Sequence, residues 1–166
     1  LSLMEYSQKN SVPLLARGGG SSQCGQTVGE SVVLDYSKHQ NKILELNVEE
    51  KYVWVQPGVV LDHLNDYLKP HGLWFPVDVS TSSRATIGGM SANNSCGSRS
   101  LYYGNMVHNV LAIEAILDDG SIFNFDQINK NYLATKNNQD RLYKIIDKFI
   151  DVRQQVGGEI DANWPT

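Results

Sequence analysis

The run Arg17-Gly18-Gly19-Gly20-Ser21-Ser22-Gln23-Cys24-Gly25-Gln26 offers backbone chemistry more than side-chain chemistry. Glycine allows tight bends and lets successive N–H groups face a concavity, where they can hold phosphate oxygens. Ser21 and Ser22 add hydroxyl donors. Arg17 supplies positive charge, either to a ligand or to an acidic neighbour that fixes the loop. Taken alone, the run reads equally as a surface loop. It is not a Walker loop, because the terminal Gly-Lys-Ser/Thr is missing, and its glycines do not follow GxGxxG spacing.

A second unusual stretch is Pro76-Val77-Asp78-Val79-Ser80-Thr81-Ser82-Ser83-Arg84-Ala85-Thr86-Ile87-Gly88-Gly89-Met90-Ser91-Ala92-Asn93-Asn94-Ser95-Cys96-Gly97. Small residues dominate where an independent core would need bulk, so something other than side chains can fill the space beside this backbone. Ala85 to Ala92 predicts one or two helical turns, with Gly88 and Gly89 held against a planar ligand. Ser80, Thr81, Ser82 and Thr86 are available as hydroxyl caps or phosphate donors. The alternative is a close helix–strand crossing with Asx turns. Two such segments in one short chain reinforce each other, since both offer backbone donors.

Other reactive side chains converge less well. His39, His63, His71 and His108 are widely separated, form no metal triad and read as surface or boundary histidines. Asp62 and Asp66 share a helix face but read as solvated. Cys24 and Cys96 make no CxxC pair, which argues against a structural zinc or local iron–sulfur motif and for a reduced compartment. Cys96 reads as a small buried filler. Asn93-Asn94-Ser95 matches a glycosylation sequon by chance.

The 166 residues carry 14 Lys and Arg against 18 Asp and Glu, a formal charge of −4, with 41% hydrophobic and 19% charged residues. That composition fits a globular domain. With no basic tract, a nucleic-acid backbone or anionic membrane is disfavoured as main partner. No apolar run approaches the length of a transmembrane helix.

The elements that must hold the two segments follow from periodicity. Leu1 to Tyr6 reads as the last turns of a helix ending near Asn10-Ser11, and Val12 to Ala16 as a strand. Val32-Val33-Leu34, Ile43 to Leu46 and Tyr52 to Gln56 read as strands, the last turned by Pro57-Gly58. Val60, Leu61, Leu64 and Leu68 fall on one helix face that stops before Gly72. Val110 to Leu117, Asp118-Asp119-Gly120 and Ser121 to Phe125 predict a hairpin. Asn124 to Asn138 reads as a polar excursion, and Leu142, Ile145, Ile146 and Phe149 as a further amphipathic helix. Gly157 to Thr166 shows no period and reads as a connection. A chain opening on half a helix and closing on a connection reads as an excerpt of a larger protein. Hairpins with separate helices favour an α+β fold.

The first segment resembles the pyrophosphate loop of the FAD-linked oxidases and dehydrogenases related to vanillyl-alcohol oxidase, and the second is similar to their second flavin-contacting loop. Tyr102-Tyr103-Gly104 and Val107-x-x-Val110 follow in the family's order. Pro70-His71-Gly72-Leu73 with Ser80 to Gly89 is most like the branch that holds the D-2-hydroxyacid dehydrogenases and the flavin-binding D-subunit of glycolate oxidase. The resemblance implies a two-lobed FAD-binding domain over 1–166, here partial. On that resemblance residues 12–56 would form the first lobe with the pyrophosphate loop, 73–125 would form the second flavin-contacting region, and a cap domain would lie outside this chain. It implies that Arg17, Gly18, Gly19, Gly20, Ser21, Ser22, Gly25 and Gln26 cradle the pyrophosphate. Pro76, Asp78, Ser80, Thr81, Ser82, Thr86, Gly88, Gly89, Ala92, Asn93 and Gly97 would line the flavin, and Tyr102, Gly104 and Val110 would complete the pocket. Ser21 stands where covalent-flavin relatives carry a histidine, which implies noncovalent FAD. The implied reaction oxidises a 2-hydroxy acid to a 2-oxo acid, with the catalytic base outside this chain, no metal, and an iron–sulfur module or other electron-transfer partner. The implied location is cytoplasmic, peripheral to the inner membrane at most. An FAD-dependent reductase of cell-wall precursor synthesis and a noncatalytic nucleotide-binding or interaction domain are the alternatives.

Overall fold

Strands β1 (Leu14–Arg17) and β2 (Val32–Asp35) pair in parallel, with register partners running from Leu14↔Val32 to Arg17↔Asp35. Parallel neighbours require a crossover, and here residues 18–31 supply it without a helix. The glycine-rich run is therefore closed at both ends by one hydrogen-bonded ladder. This computed structural model describes residues 2–126 and 141–164.

Ahead of β1 lies α1 (Ser2–Asn10), which ends as expected next to Ser11, a left-handed residue at φ 53°. Strands β3 (Ile43–Asn47) and β4 (Tyr52–Val55) form an antiparallel pair with a register shift between Ile43 and Glu45. Helix α2 (Leu61–Leu68) buries Leu61, Leu64 and Leu68, the i, i+3, i+7 face anticipated from sequence, and Asp62 suits the positive end of its dipole. A 3-10 turn over Lys69–His71 then ends at Gly72, whose φ of 69° explains the glycine.

Two apolar clusters hold this part together. Val59, Leu64 and Leu68 pack with Ile43, Leu46, Val53 and Val55 from the β3–β4 pair. Leu61, Val77, Ala85, Met90 and Met106 form the other cluster, and Phe75 and Ile87 touch both. Ile87 opens α3 (Ile87–Ala92), the short helix expected between Ala85 and Ala92. The single bridge Val60↔Thr86, with Ile87 N donating to Val59 O at 2.8 Å, ties the entrance of α3 to the entrance of α2.

Two further short helices, α4 (Ser100–Tyr103) and α5 (Met106–Asn109), lie where the sequence shows no period, since one turn is too short to display one. Asn105 caps α5, and its N–H donates to His108 Nδ1 at 3.0 Å. Strands β5 (Ile113–Ile116) and β6 (Ile122–Phe125) form the expected hairpin, with Gly120 at φ 82° and Leu117 N donating to Ser121 O.

The described chain forms two compact units. One runs up to Leu111 and includes Asp118–Gly120; the other joins Ala112–Leu117 to the chain from Ser121 onward. Helix α6 (Arg141–Asn163) belongs to the second. Its length corrects the expectation of a patternless connection from Gly157. Helix continues through Gly157 and Gly158, and Arg153 folds over Gly157 to meet Asp161 at 2.7 Å. The polar excursion expected over 124–138 falls largely outside the described residues. No helix among the described residues is long and apolar enough to cross a membrane.

Candidate functional site

Gly18 follows β1 directly and runs beside the N-terminus of α3. A β-carbon on Gly18 would fall on Thr86 Oγ1, and one on Gly19 would fall on the carbonyl oxygen of Arg84. Only glycine permits that approach. Thr86 is 1% exposed, caps α3, and accepts from Gly89 N–H at 3.4 Å. Farther along, Gln26 Nε2 donates to Asn93 Oδ1 at 3.4 Å, which joins the first segment to the second across 67 positions.

Between them lies a cleft of about 350 Å³. Of the anticipated site residues it is lined by Arg17, Gly18, Gly19, Gly20, Ser21, Ser22 and Gln26 from the first segment. The second contributes Ser80, Thr81, Thr86, Gly89, Ala92 and Asn93. Gln23, Thr27 and Ser95 also line it; Gln23 and Ser95 lie inside the two runs without an anticipated cofactor contact, and Thr27 lies just beyond the first. Arg17 is the one cationic side chain among the described lining residues, and no histidine is among them.

The other anticipated residues lie elsewhere. Gly25 sits in the crossover at φ 84° with open space around it. Gly88 packs on Pro57, and Ser82 accepts from Asp62 N–H. Asp78 holds the loop after α3: Ser98 Oγ donates to its Oδ2 at 2.6 Å, Arg99 N–H to its Oδ1 at 3.0 Å, and a β-carbon on Gly97 would strike it. The Ser98 hydroxyl, then the Arg99 amide, hold the Asp78 carboxyl below the usual carboxylate range. Pro76 lines a different, larger depression of about 470 Å³ with Trp74, Phe75 and Tyr103. Of the two glycine-rich runs, that depression takes in only Pro76 and none of their glycines. Tyr102, 85% exposed, stacks edge-on with Tyr103. Gly104, at φ 78°, ends α4 against His108, and Val110 packs on the Met90 and Met106 cluster.

Cys96 is exposed, which corrects the reading of a buried filler; the chain turns outward between Asn94, at φ 45°, and α4. Cys24 is exposed as well.

The cleft fits an extended diphosphate. Its lining combines the bare backbone of Gly18, Gly19 and Gly20 with the hydroxyl side chains of Ser80 and Thr81, and the Arg17 Nε is buried without a hydrogen-bond partner. Over residues 1–126 the chain matches the family described as FAD binding domain. The chain belongs to that family. FAD is accordingly the cofactor, and the fold is the α+β FAD-binding type. The sequence is 46% identical over 127 residues to D-2-hydroxyglutarate dehydrogenase of Haemophilus influenzae, covering 76% of this chain and 12% of that protein. It is 40% identical over 124 residues to the mitochondrial D-lactate dehydrogenase [cytochrome] of Kluyveromyces lactis, covering 72% of this chain and 21% of that one. The chain thus spans a small part of the relatives it matches. Among solved structures, 6-hydroxy-D-nicotine oxidase from Arthrobacter nicotinovorans superposes with a TM-score of 0.68 at 18% identity, over 78% of this chain and 28% of its own. That likeness shows the fold.

Proposed function

We propose that this chain is the FAD-holding part of an oxidoreductase that converts a 2-hydroxy acid to a 2-oxo acid. Bound flavin supplies the redox chemistry, taking up the two electrons that the hydroxy-bearing carbon loses. The chain's contribution is orientation. Gly18, Gly19 and Gly20 present backbone N–H groups to the diphosphate, Arg17 adds one positive charge, and Ser80 and Thr81 offer hydroxyls from the second segment, which the buried Thr86 cap holds beside Gly18. Ser21 stands where covalent-flavin relatives carry a histidine, and on that ground the attachment is read as noncovalent. Within the unit that runs up to Leu111, the first segment and the stretch from Ser80 to Ser95 together make the flavin site.

The observation that carries this reading is the meeting of Gly18 with Thr86, which turns two separate small-residue runs into one cleft. The substrate class rests on the likeness to the dehydrogenases of D-2-hydroxyglutarate and D-lactate. With Arg17 at the phosphate end and no histidine on the cleft wall, the substrate carboxylate and the hydroxyl proton are handled by residues beyond this cleft. An electron-transfer partner, such as an iron–sulfur module, reoxidises the flavin.

Anaerobic mixing with D-lactate, glycolate and D-2-hydroxyglutarate, followed at the oxidised-flavin band, tests the proposal. A protein of the relatives' length carrying this chain bleaches with at least one acid; the FAD-loaded chain alone does not bleach rapidly. Failure of all three acids in the longer protein would reject the substrate class. Rapid bleaching of the chain alone would place a base within it.

A further inference from the structure

Arg17 and Asp35 end β1 and β2 as register partners, so their side chains leave the same face of the parallel pair. Arg17 Nη2 lies 4.0 Å from Asp35 Oδ2. The carboxylate is itself held, because Asp35 Oδ1 accepts from Ser37 N–H at 2.9 Å and from the Ser37 hydroxyl at 2.6 Å. Beyond the pair, the guanidinium passes against Gly20: a β-carbon there would lie 3.5 Å from Nε and 3.9 Å from Cζ, and Gly20 has φ 65°. The Nε is buried and has no acceptor.

Guanidinium donors form a rigid planar fork, so the pull of the Asp35 carboxylate on Nη2 also turns Nε–H. Native proteins rarely leave a buried donor without an acceptor. Arg17 lines the cleft, directly beside Gly18 and Gly19. We infer that Asp35, which does not line the cleft, is a positioning residue for the cofactor: through Arg17 Nη2 it aims Arg17 Nε–H at an oxygen of the diphosphate lying along Gly18 to Gly20. This rests on the reading of the cleft as the FAD site.

A partly exposed pair at this separation contributes little to folding. Asparagine at position 35 keeps the acceptor for Ser37 while removing the charge that orients Arg17. The full chain, Asp35→Asn, Arg17→Gln and the double variant are therefore compared by calorimetric FAD titration, by melting without ligand, and by the phosphorus resonances of bound FAD. Asp35→Asn weakens FAD by roughly tenfold, the scale of one charge-assisted hydrogen bond. Its ligand-free melting point stays within about 2 °C of the parent. Both single variants move a phosphorus resonance, and the double variant binds no more weakly than Arg17→Gln. Additive losses would show that Asp35 acts independently of Arg17 and overturn the inference. So would an affinity loss that only follows a large drop in ligand-free stability, or unmoved phosphorus resonances. A folded parent chain that binds no FAD would reject the cleft reading itself, and the positioning role with it; parent binding with an unaltered Asp35→Asn affinity rejects the positioning role alone.

Discussion

Thr86 Oγ1 stands where a β-carbon on Gly18 would have to be. The contact joins the end of β1 to the cap of α3, residues far apart in sequence, and it makes the two positions energetically dependent. Gly18→Ala displaces the Thr86 hydroxyl from Gly89 N–H and costs about 1–3 kcal/mol of stability. Thr86→Ala alone costs about 1 kcal/mol as a lost cap. Combined, the two cost less than their sum, because the Thr86 β-carbon lies 3.4 Å from the new methyl and the colliding oxygen is gone. Urea unfolding of the four proteins checks this; strict additivity would contradict the contact.

Gly19→Val and Gly20→Val weaken FAD binding for different reasons. At position 19 the branched side chain meets the Arg84 carbonyl, which is backbone and cannot rotate away. At position 20 a β-carbon makes only ordinary contact with the Arg17 side chain, but φ of 65° costs an L-residue about 1–2 kcal/mol. Titration of both variants, with circular dichroism confirming the fold, reads the effect; unchanged affinity in both would remove the loop from the site.

FAD leaves the polypeptide on denaturation. Ser21 is exposed, and the proposed noncovalent attachment rests on a serine standing there in place of the histidine of covalent-flavin relatives. Acid precipitation of the loaded chain gives a yellow supernatant and a colourless pellet; yellow retained in the pellet contradicts noncovalent attachment.

Stability declines on the acid side. Asp35 is held below the usual carboxylate range chiefly by the Ser37 hydroxyl, and Asp78 chiefly by the Ser98 hydroxyl. A carboxylate whose folded pKa lies below its unfolded value stabilises above the unfolded value and loses that contribution as pH falls through the folded one. Urea midpoints therefore fall as pH drops below the ordinary carboxylate range, and Asp78→Asn shows a shallower decline. Tyr52 shifts the other way: its hydrogen bond to Glu45 raises its pKa, so its contribution is complete below the unfolded value and is lost as pH rises through the folded one. Parallel curves for Asp78→Asn and the parent would exclude the aspartate's role.

Much of the scaffold is legible because its signals are local. Leu61, Leu64 and Leu68 announce a helix face, and Gly120 announces a hairpin turn. The parallel pairing of β1 with β2 is not local, since nothing in either four-residue strand specifies its partner. Gly157 and Gly158 read as breakers because glycine costs a helix about 1 kcal/mol against alanine, yet α6 runs through them. At the cleft, the lining glycines and hydroxyls are visible as composition, whereas Gln26 with Asn93 and Arg17 with Asp35 become partners only when the chain folds. One trace of the latter exists: both strands of the parallel pair end on a charge, and the charges are opposite.

The helix-free crossover between β1 and β2 also sets when the site can form. Its ends are fixed only once the parallel ladder closes, and its floor only once Thr86 reaches Gly18, so partly folded chains have no cleft to offer. With the cleft as the proposed FAD site, the cofactor selects the finished fold over its precursors. By mass action, free cofactor at about one hundred times its dissociation constant deepens the native state by about 2.7 kcal/mol. Cellular flavin supply thereby becomes a determinant of how much of this protein survives proteolysis, independently of any turnover it supports.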